Sequence, residues 1–172
     1  MKTVFRIAYG AVLLASCAGI DAGPMATAKL EPRTGSQVQG TVSFEQVGDR
    51  VRVTGEVTGH SKGSKGFHIH EKGDCTASDA SSAGAHFAPG GGQHAGPTDA
   101  GHHAGDLGNL DADSDGNAMW TITTDSLSIG KGANDIIGKA VIIHGDPDDL
   151  KTQPSGNSGG RVACGVIEVK QD

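Results

Sequence analysis

The chain has 172 residues, 28 of them glycine, and aromatic residues make up only 3% of it; a glycine share well above the usual ~7%, without a G-X-Y period, excludes a collagen and argues against a helix bundle. No apolar run of 18 residues lies beyond the extreme N-terminus, which excludes a polytopic membrane protein. The formal charge of -6 and the scarcity of rings on which bases could stack exclude nucleic acid as a partner, and 35% apolar residues suffice for the core of one soluble domain.

Residues 1–17 start with Lys2 and Arg6, pass through an apolar stretch from Ile7 to Ala15 and end in small residues at Cys17, the pattern of a secretory signal. Leu14, Ala15, Ser16 and Cys17 also resemble the lipobox of bacterial lipoproteins, in which the cysteine is acylated and becomes the first residue. Ordinary cleavage after small residues is the alternative. Lipidation accounts for the odd cysteine and leaves Cys75 and Cys164 as a pair, which an oxidising compartment favours. Without Lys2 and Arg6, 12 basic residues face 20 acidic ones, so the exported part carries -8. The expected location is the periplasm, with membrane attachment if Cys17 carries lipid. Residues 18–36, rich in Ala, Gly, Thr and Pro, read as a tether and the start of the first strand, and residues 37–172 as the folded domain.

From Val38 onward apolar residues alternate: Val42 and Phe44; Val51, Val53 and Val57; Phe67 and Ile69; Trp120 and Ile122. A period of two predicts strands. Ala140 to Ile143 and Val162 to Val169 are further β-branched runs, and Gly48-Asp49 and Asp115-Gly116 fall where hairpin turns belong. Short strands without helical stretches predict an all-β antiparallel sandwich or barrel. Between them, Glu71 to Asn109 and Gly145 to Gly160 are long, polar and glycine-rich, the usual form of functional loops.

In the run GFHIH, His68 and His70 lie two apart, so in a strand both imidazoles project from one face, roughly 7 Å apart along the backbone. His86, His94, His103 and Asp106 follow at spacings of eight, nine and three, a complete tetrahedral shell for zinc. His144 closes another apolar strand, from which it can join His68 and His70; several imidazoles around one ion suit copper. Solvated loop histidines explain any one of these residues, and the whole set poorly.

In order along the chain, GFHIHEKGDC, SAGAHFAPGGGQHAGP, HHAGDLGN, HGDPDDL and GGRVACGVI resemble the successive signatures of the secreted copper, zinc superoxide dismutases of bacterial, periplasmic type, over about residues 38 to 169. The resemblance implies an eight-stranded antiparallel Greek-key β-barrel, or flattened immunoglobulin-like sandwich, with long metal-binding and electrostatic loops. It implies one copper ion per subunit on His68, His70, His86 and His144, and one zinc ion on His86, His94, His103 and Asp106, with His86 serving both. The implied reaction is dismutation of superoxide to dioxygen and hydrogen peroxide by copper cycling between its two oxidation states, in defence of the cell envelope. His86 and Arg161 are the implied catalytic residues, the latter a guanidinium that attracts the small anion. Asp148 resembles the carboxylate joining a copper histidine to a zinc histidine, here His68 and His94, although on its own it also reads as a turn residue after Pro147. Cys75 and Cys164 match the family's intramolecular disulfide. Relatives are monomers or homodimers, and both states stay open.

Lys65 stands where many relatives have histidine before GFH, which puts the backbone support of the copper ligands in doubt. Lys65, Lys72 and Lys151 are also candidates for a positive funnel around Arg161. His102 neighbours His103 and competes with it only if the loop slips by one; His60 lies outside every signature and reads as a loop residue. Asp111, Asp113, Asp115 and Gly116 imitate a calcium loop, but Ile122 stands where its bidentate Glu belongs. Trp120 reads as a packing residue. A copper-delivery module and a purely structural sandwich are the competing readings; the first predicts a lost copper ligand or no Arg161, and the second needs no ligand set.

Overall fold

The structure, a computed structural model, describes residues 23–170. The expected signal segment, residues 1–17, and with it Cys17, lies outside the described residues. Eight strands are present among those described: β1 (Met25–Pro32), β2 (Gln39–Val47), β3 (Arg50–Thr58), β4 (Gly63–His70), β5 (Asp106–Ala112), β6 (Ala118–Thr124), β7 (Ala140–His144) and β8 (Arg161–Val169). They form one antiparallel sheet in the order β5-β4-β7-β8-β1-β2-β3-β6. The outermost strands, β5 and β6, are successive in the chain and touch, so the sheet curls into a nearly closed Greek-key barrel.

The alternation in the sequence becomes an inside and an outside. On β3, Val51, Val53 and Val57 are buried while Arg52, Thr54 and Glu56 face water. Phe44, Phe67, Leu30, Ile69, Leu110 and Ile143 are among the fully enclosed residues of the interior. The expected turns form: Gly48 has φ +64° between β2 and β3, and Gly116 has φ +80° between β5 and β6. Asp113, part of the calcium-loop imitation, accepts the amides of Asp115 and Asn117 through Oδ1 and serves that turn. Trp120 packs edge-on against Phe67, with centroids 5.0 Å apart, and its indole covers Gly55, where any Cβ would collide with the ring.

The first strand, whose start was expected within residues 18–36, is Met25–Pro32. It pairs with β2 on one side and β8 on the other, and buries Ala26, Ala28 and Leu30. Two of its three inward residues are alanine, which gives little hydropathic contrast against its neighbours.

A smaller apolar cluster lies outside the barrel, where Ala80 and Ala83 of the loop after β4 pack on Ala140, Ile142 and Cys164. Cys75 and Cys164 are disulfide-bonded there, with a Cα–Cα distance of 5.8 Å and 89 residues between them. The long loop is thereby fastened over the outer face of β4 and β7, the face that carries the histidines.

Candidate metal centre

Because β4 alternates, Phe67 and Ile69 enter the core while His68 and His70 stand on the outer face; burial beneath the loop leaves both imidazoles enclosed. His144 is the last residue of β7, beside them. The loop returns to β4 through Phe87, whose side chain enters the core and whose amide donates to the Ile69 carbonyl. Ile69 donates in turn to Gly105, and any Cβ at Gly105 would strike that strand. This short seam sets His86 over His70 and lets Asp106 begin β5 beneath His94 and His103.

Two groups of ligand atoms result, each with all its members within 4.8 Å of one another: His68, His70, His86 and His144, and His86, His94, His103 and Asp106. His86 belongs to both. Its Nδ1 lies 2.7 Å from Asp106 Oδ1 in the second group, while its Nε2 is buried without a hydrogen-bond partner. His68 and His86 have their ring centroids 4.1 Å apart, and His86 and His94 theirs 5.3 Å apart.

Whether these residues suit metal ions is tested by their free atoms. One nitrogen of every ring in the first group, His68 Nδ1 and the Nε2 atoms of His70, His86 and His144, is buried and unpartnered. The opposite nitrogens are engaged: His68 Nε2 donates to Asp148 Oδ2 (2.7 Å), His70 Nδ1 to Gly84 O (3.0 Å) and His144 Nδ1 to Gly159 O (3.3 Å). Each buried orphan costs about 1–3 kcal/mol, and a shared cation would satisfy all four. Burial first, then the neighbouring His86, pushes His68 and His70 well below the ordinary imidazole range; burial likewise lowers His144 to about 4. The rings of His68, His70 and His144 are therefore neutral, with lone pairs to give. Four imidazoles suit copper.

The second group combines three imidazoles with one enclosed carboxylate, the N/O set zinc prefers in tetrahedral sites. Burial would raise the Asp106 pKa, but the hydrogen bond and charge of His86, the Ala95 amide and His94 outweigh it and hold the group ionised, below the usual carboxylate range. His103 enters this group, whereas His102 turns its Nδ1 to the His103 carbonyl (2.6 Å).

Asp148 is buried between the two groups. Its Oδ1 lies 2.8 Å from His94 Nε2, opposite the bond from Oδ2 to His68, and the Leu150 amide also donates to Oδ1. Any Cβ at Gly156 would collide with this carboxylate and with the His94 ring. Two supporting residues carried no sequence signal. Asn109 grips the Asp148 main chain through both ends of its amide (2.8 and 3.0 Å), and Gln153 does the same for His94 (2.9 and 2.7 Å).

Arg161 begins β8 and spans back to the loop, donating from Nη1 to Ala80 O (2.8 Å) and from Nη2 to Gly84 O (2.7 Å). It lines a cavity of about 540 Å³ with Glu71, His86, His103, Pro154 and Ser155. A larger groove of about 860 Å³ runs between Arg33–Ser36 and Gly73–Ser78 and is lined by none of the grouped histidines. Of the three lysines expected around Arg161, one is withdrawn from the surface. Lys65 is buried with Nζ bound to the Gly145 carbonyl, and the exposed Lys72 and Lys151 do not line the mouth.

An antiparallel barrel carrying an all-imidazole cluster that shares one ring with an N/O cluster defines a metalloprotein with two adjoining ion sites. Residues 38–167 match the family described as copper/zinc superoxide dismutase (SODC). A Brassica juncea protein named superoxide dismutase (Cu-Zn) 2 is 47% identical over 140 residues, which cover 77% of this chain and 91% of that protein. A solved crystal structure of the clock protein EA4 is 38% identical and superposes with a TM-score of 0.78, over 85% of this chain and 94% of that one. The chain belongs to the copper/zinc superoxide dismutase family. It is an oxidoreductase acting on superoxide, and its cofactors are copper and zinc.

Proposed function

We propose that His68, His70, His86 and His144 hold the copper, that His86, His94, His103 and Asp106 hold the zinc, and that His86 bridges the two ions. The observation carrying this reading is the membership of His86 in both groups, with its Nε2 free on the copper side. When bound, copper supplies a one-electron couple that takes an electron from one superoxide and gives it to a second. The protein's own contribution is to orient the ligands and to store a proton. Held at Nδ1 on the zinc side, His86 offers Nε2 as the atom that takes up a proton between the half-reactions and delivers it to the departing peroxide.

Arg161 binds the anion at the mouth of the cavity. Its two backbone bonds fix the plane of the guanidinium and use two of its five N–H donors, leaving others for superoxide. Asp148 couples a ring of each site and sets their tautomers. We further infer export to the cell envelope, with Cys17 as a lipid anchor; the signal-like start and the Cys75–Cys164 disulfide support this reading.

The test is to load the purified protein with copper and zinc, locate both ions by anomalous diffraction and measure dismutation. An active protein with both ions within reach of the His86 ring is expected; a single ion, or a pair too far apart for one imidazole to span, overturns the bridge. Mass spectrometry of the native N-terminus decides the anchor: an unmodified start after ordinary cleavage refutes lipidation.

A further inference from the structure

The regular ladder between β4 and β7 stops at Phe67 and Ile143, and the pairing of β7 with β8 shifts between Ile143 and His144. The main chain therefore leaves the sheet at a residue placed above among the copper ligands. Beyond it, amide donors still find backbone partners, Gly145 N–H on Gly160 and Asp146 N–H on Ser158. The carbonyls of His144 and Gly145 instead receive side chains: His60 Nε2 donates to His144 O and Lys65 Nζ to Gly145 O, both at 2.9 Å.

We propose that His60 and Lys65 are positioning residues, a two-point clamp on consecutive carbonyls that fixes the main chain of His144 and so aims its Nε2 at the copper. The inference rests on the assignment of His144 as a copper ligand. Each arm of the clamp has its own anchor. His60 is pinned through its amide to Gly116 O (3.1 Å) in the β5–β6 turn, where any Cβ at Gly116 would strike the His60 backbone. Lys65 lies on the face of β4 that carries Phe67 and Ile69, and it is only 7% exposed. Burying an ammonium is costly unless it is hydrogen-bonded, and its bond here ends on the carbonyl one residue from His144. The ring of His144 is fixed separately by its Nδ1 bond to Gly159 O, so clamp and ring bond together leave Nε2 one direction to point. Gly66 completes the approach: its amide donates to Asp146 O, and a Cβ there would strike Ser158.

The test uses the copper- and zinc-loaded protein. Lys65→Met, His60→Leu and the double variant remove the donors, while Lys65→Arg and His60→Gln keep one at each place. The readouts are the Cu(II) electron paramagnetic resonance spectrum, the half-life of copper against a chelator and the zinc content. The donorless variants should show an altered copper hyperfine splitting and faster copper loss, about 10- to 100-fold in the double variant, as expected when support of a ligand is removed. Zinc should stay, and the donor-keeping variants should return towards the parent. A parent-like spectrum and half-life in the double variant, or zinc lost in step with copper, overturns the proposal. If the Lys65 variants do not fold, His60→Leu, at a half-buried site, decides alone. His144→Gln is measured alongside: an unchanged copper spectrum there faults the ligand assignment and not the clamp.

Discussion

Asp148 stands between His68 and His94, its two carboxylate oxygens 2.7 and 2.8 Å from the two Nε2 atoms, so a single enclosed side chain touches a ring from each metal group. The same carboxylate also takes the Leu150 amide at a residue with φ +62°, so a purely local turn role is its competing explanation. Asp148→Asn separates the two, because an amide accepts through only one of its ends. Zinc affinity should fall by about 10- to 100-fold, a usual effect of removing support from a ligating histidine. Competition titration with a zinc chelator reads this, and an unchanged affinity would reduce Asp148 to a turn residue.

His94 belongs to only one of the two groups. His94→Ala should empty the zinc site and leave the copper spectrum recognisable, with partial redox activity. Metal analysis beside electron paramagnetic resonance checks this. Equal loss of both metals would mean that the two groups assemble as one folding unit.

Arg161 touches no member of the copper group through a hydrogen bond, since both its bonds go to backbone carbonyls of the loop. Arg161→Gln should therefore keep the metals and lose anion capture. A hydrogen bond between charged partners contributes about 1.5–3 kcal/mol, which corresponds to a fall in kcat/KM of roughly 10- to 100-fold. The remaining rate should also depend less on ionic strength, because the cation that salt screens is gone. Copper missing from the variant would make Arg161 a structural residue.

How far the sequence could be read differs by type of interaction. His68 and His70 were legible because strand alternation converts a spacing of two into a shared face, and that face is where both lie. Hairpin turns at Gly48 and Gly116 were legible because positive φ nearly requires glycine. The bounds of the strand at Met25–Pro32 were not, since Ala26 and Ala28 pack inward without announcing them by hydropathy. The roles of Asn109, Gln153, His60 and Lys65 were also beyond reach. They act by side-chain bonds to backbone groups 39 to 84 positions away, and nothing periodic marks such a bond. The inward face of Lys65 was legible, since alternation sets it with Phe67 and Ile69 opposite His68 and His70, which removes it from the candidate funnel; its bond to the Gly145 carbonyl was not.

Cys75 and Cys164 hold the loop whose Ala80 and Gly84 carbonyls fix the Arg161 guanidinium, so the disulfide is coupled to anion binding through a short chain of contacts. Ala80 and Ala83 lie with Cys164 in the small outer cluster, which has only alanines, one isoleucine and the cysteines to hold it together. Replacing both cysteines by serine avoids leaving a reactive thiol and should destabilise the protein by about 2–5 kcal/mol, near the roughly 4.6 kcal/mol that chain entropy predicts for a loop of this size. If the bond also positions Arg161, azide titrated against the Cu(II) absorption band will bind the double variant more weakly than the parent at a temperature where both are folded. The copper and zinc contents should be equal in the two proteins, because the seam through Phe87, Ile69 and Gly105 holds the ligands independently of the bridge. Parent-like azide affinity in a destabilised variant would confine the disulfide to stability, whereas metal loss would show that the seam alone cannot keep the loop in place.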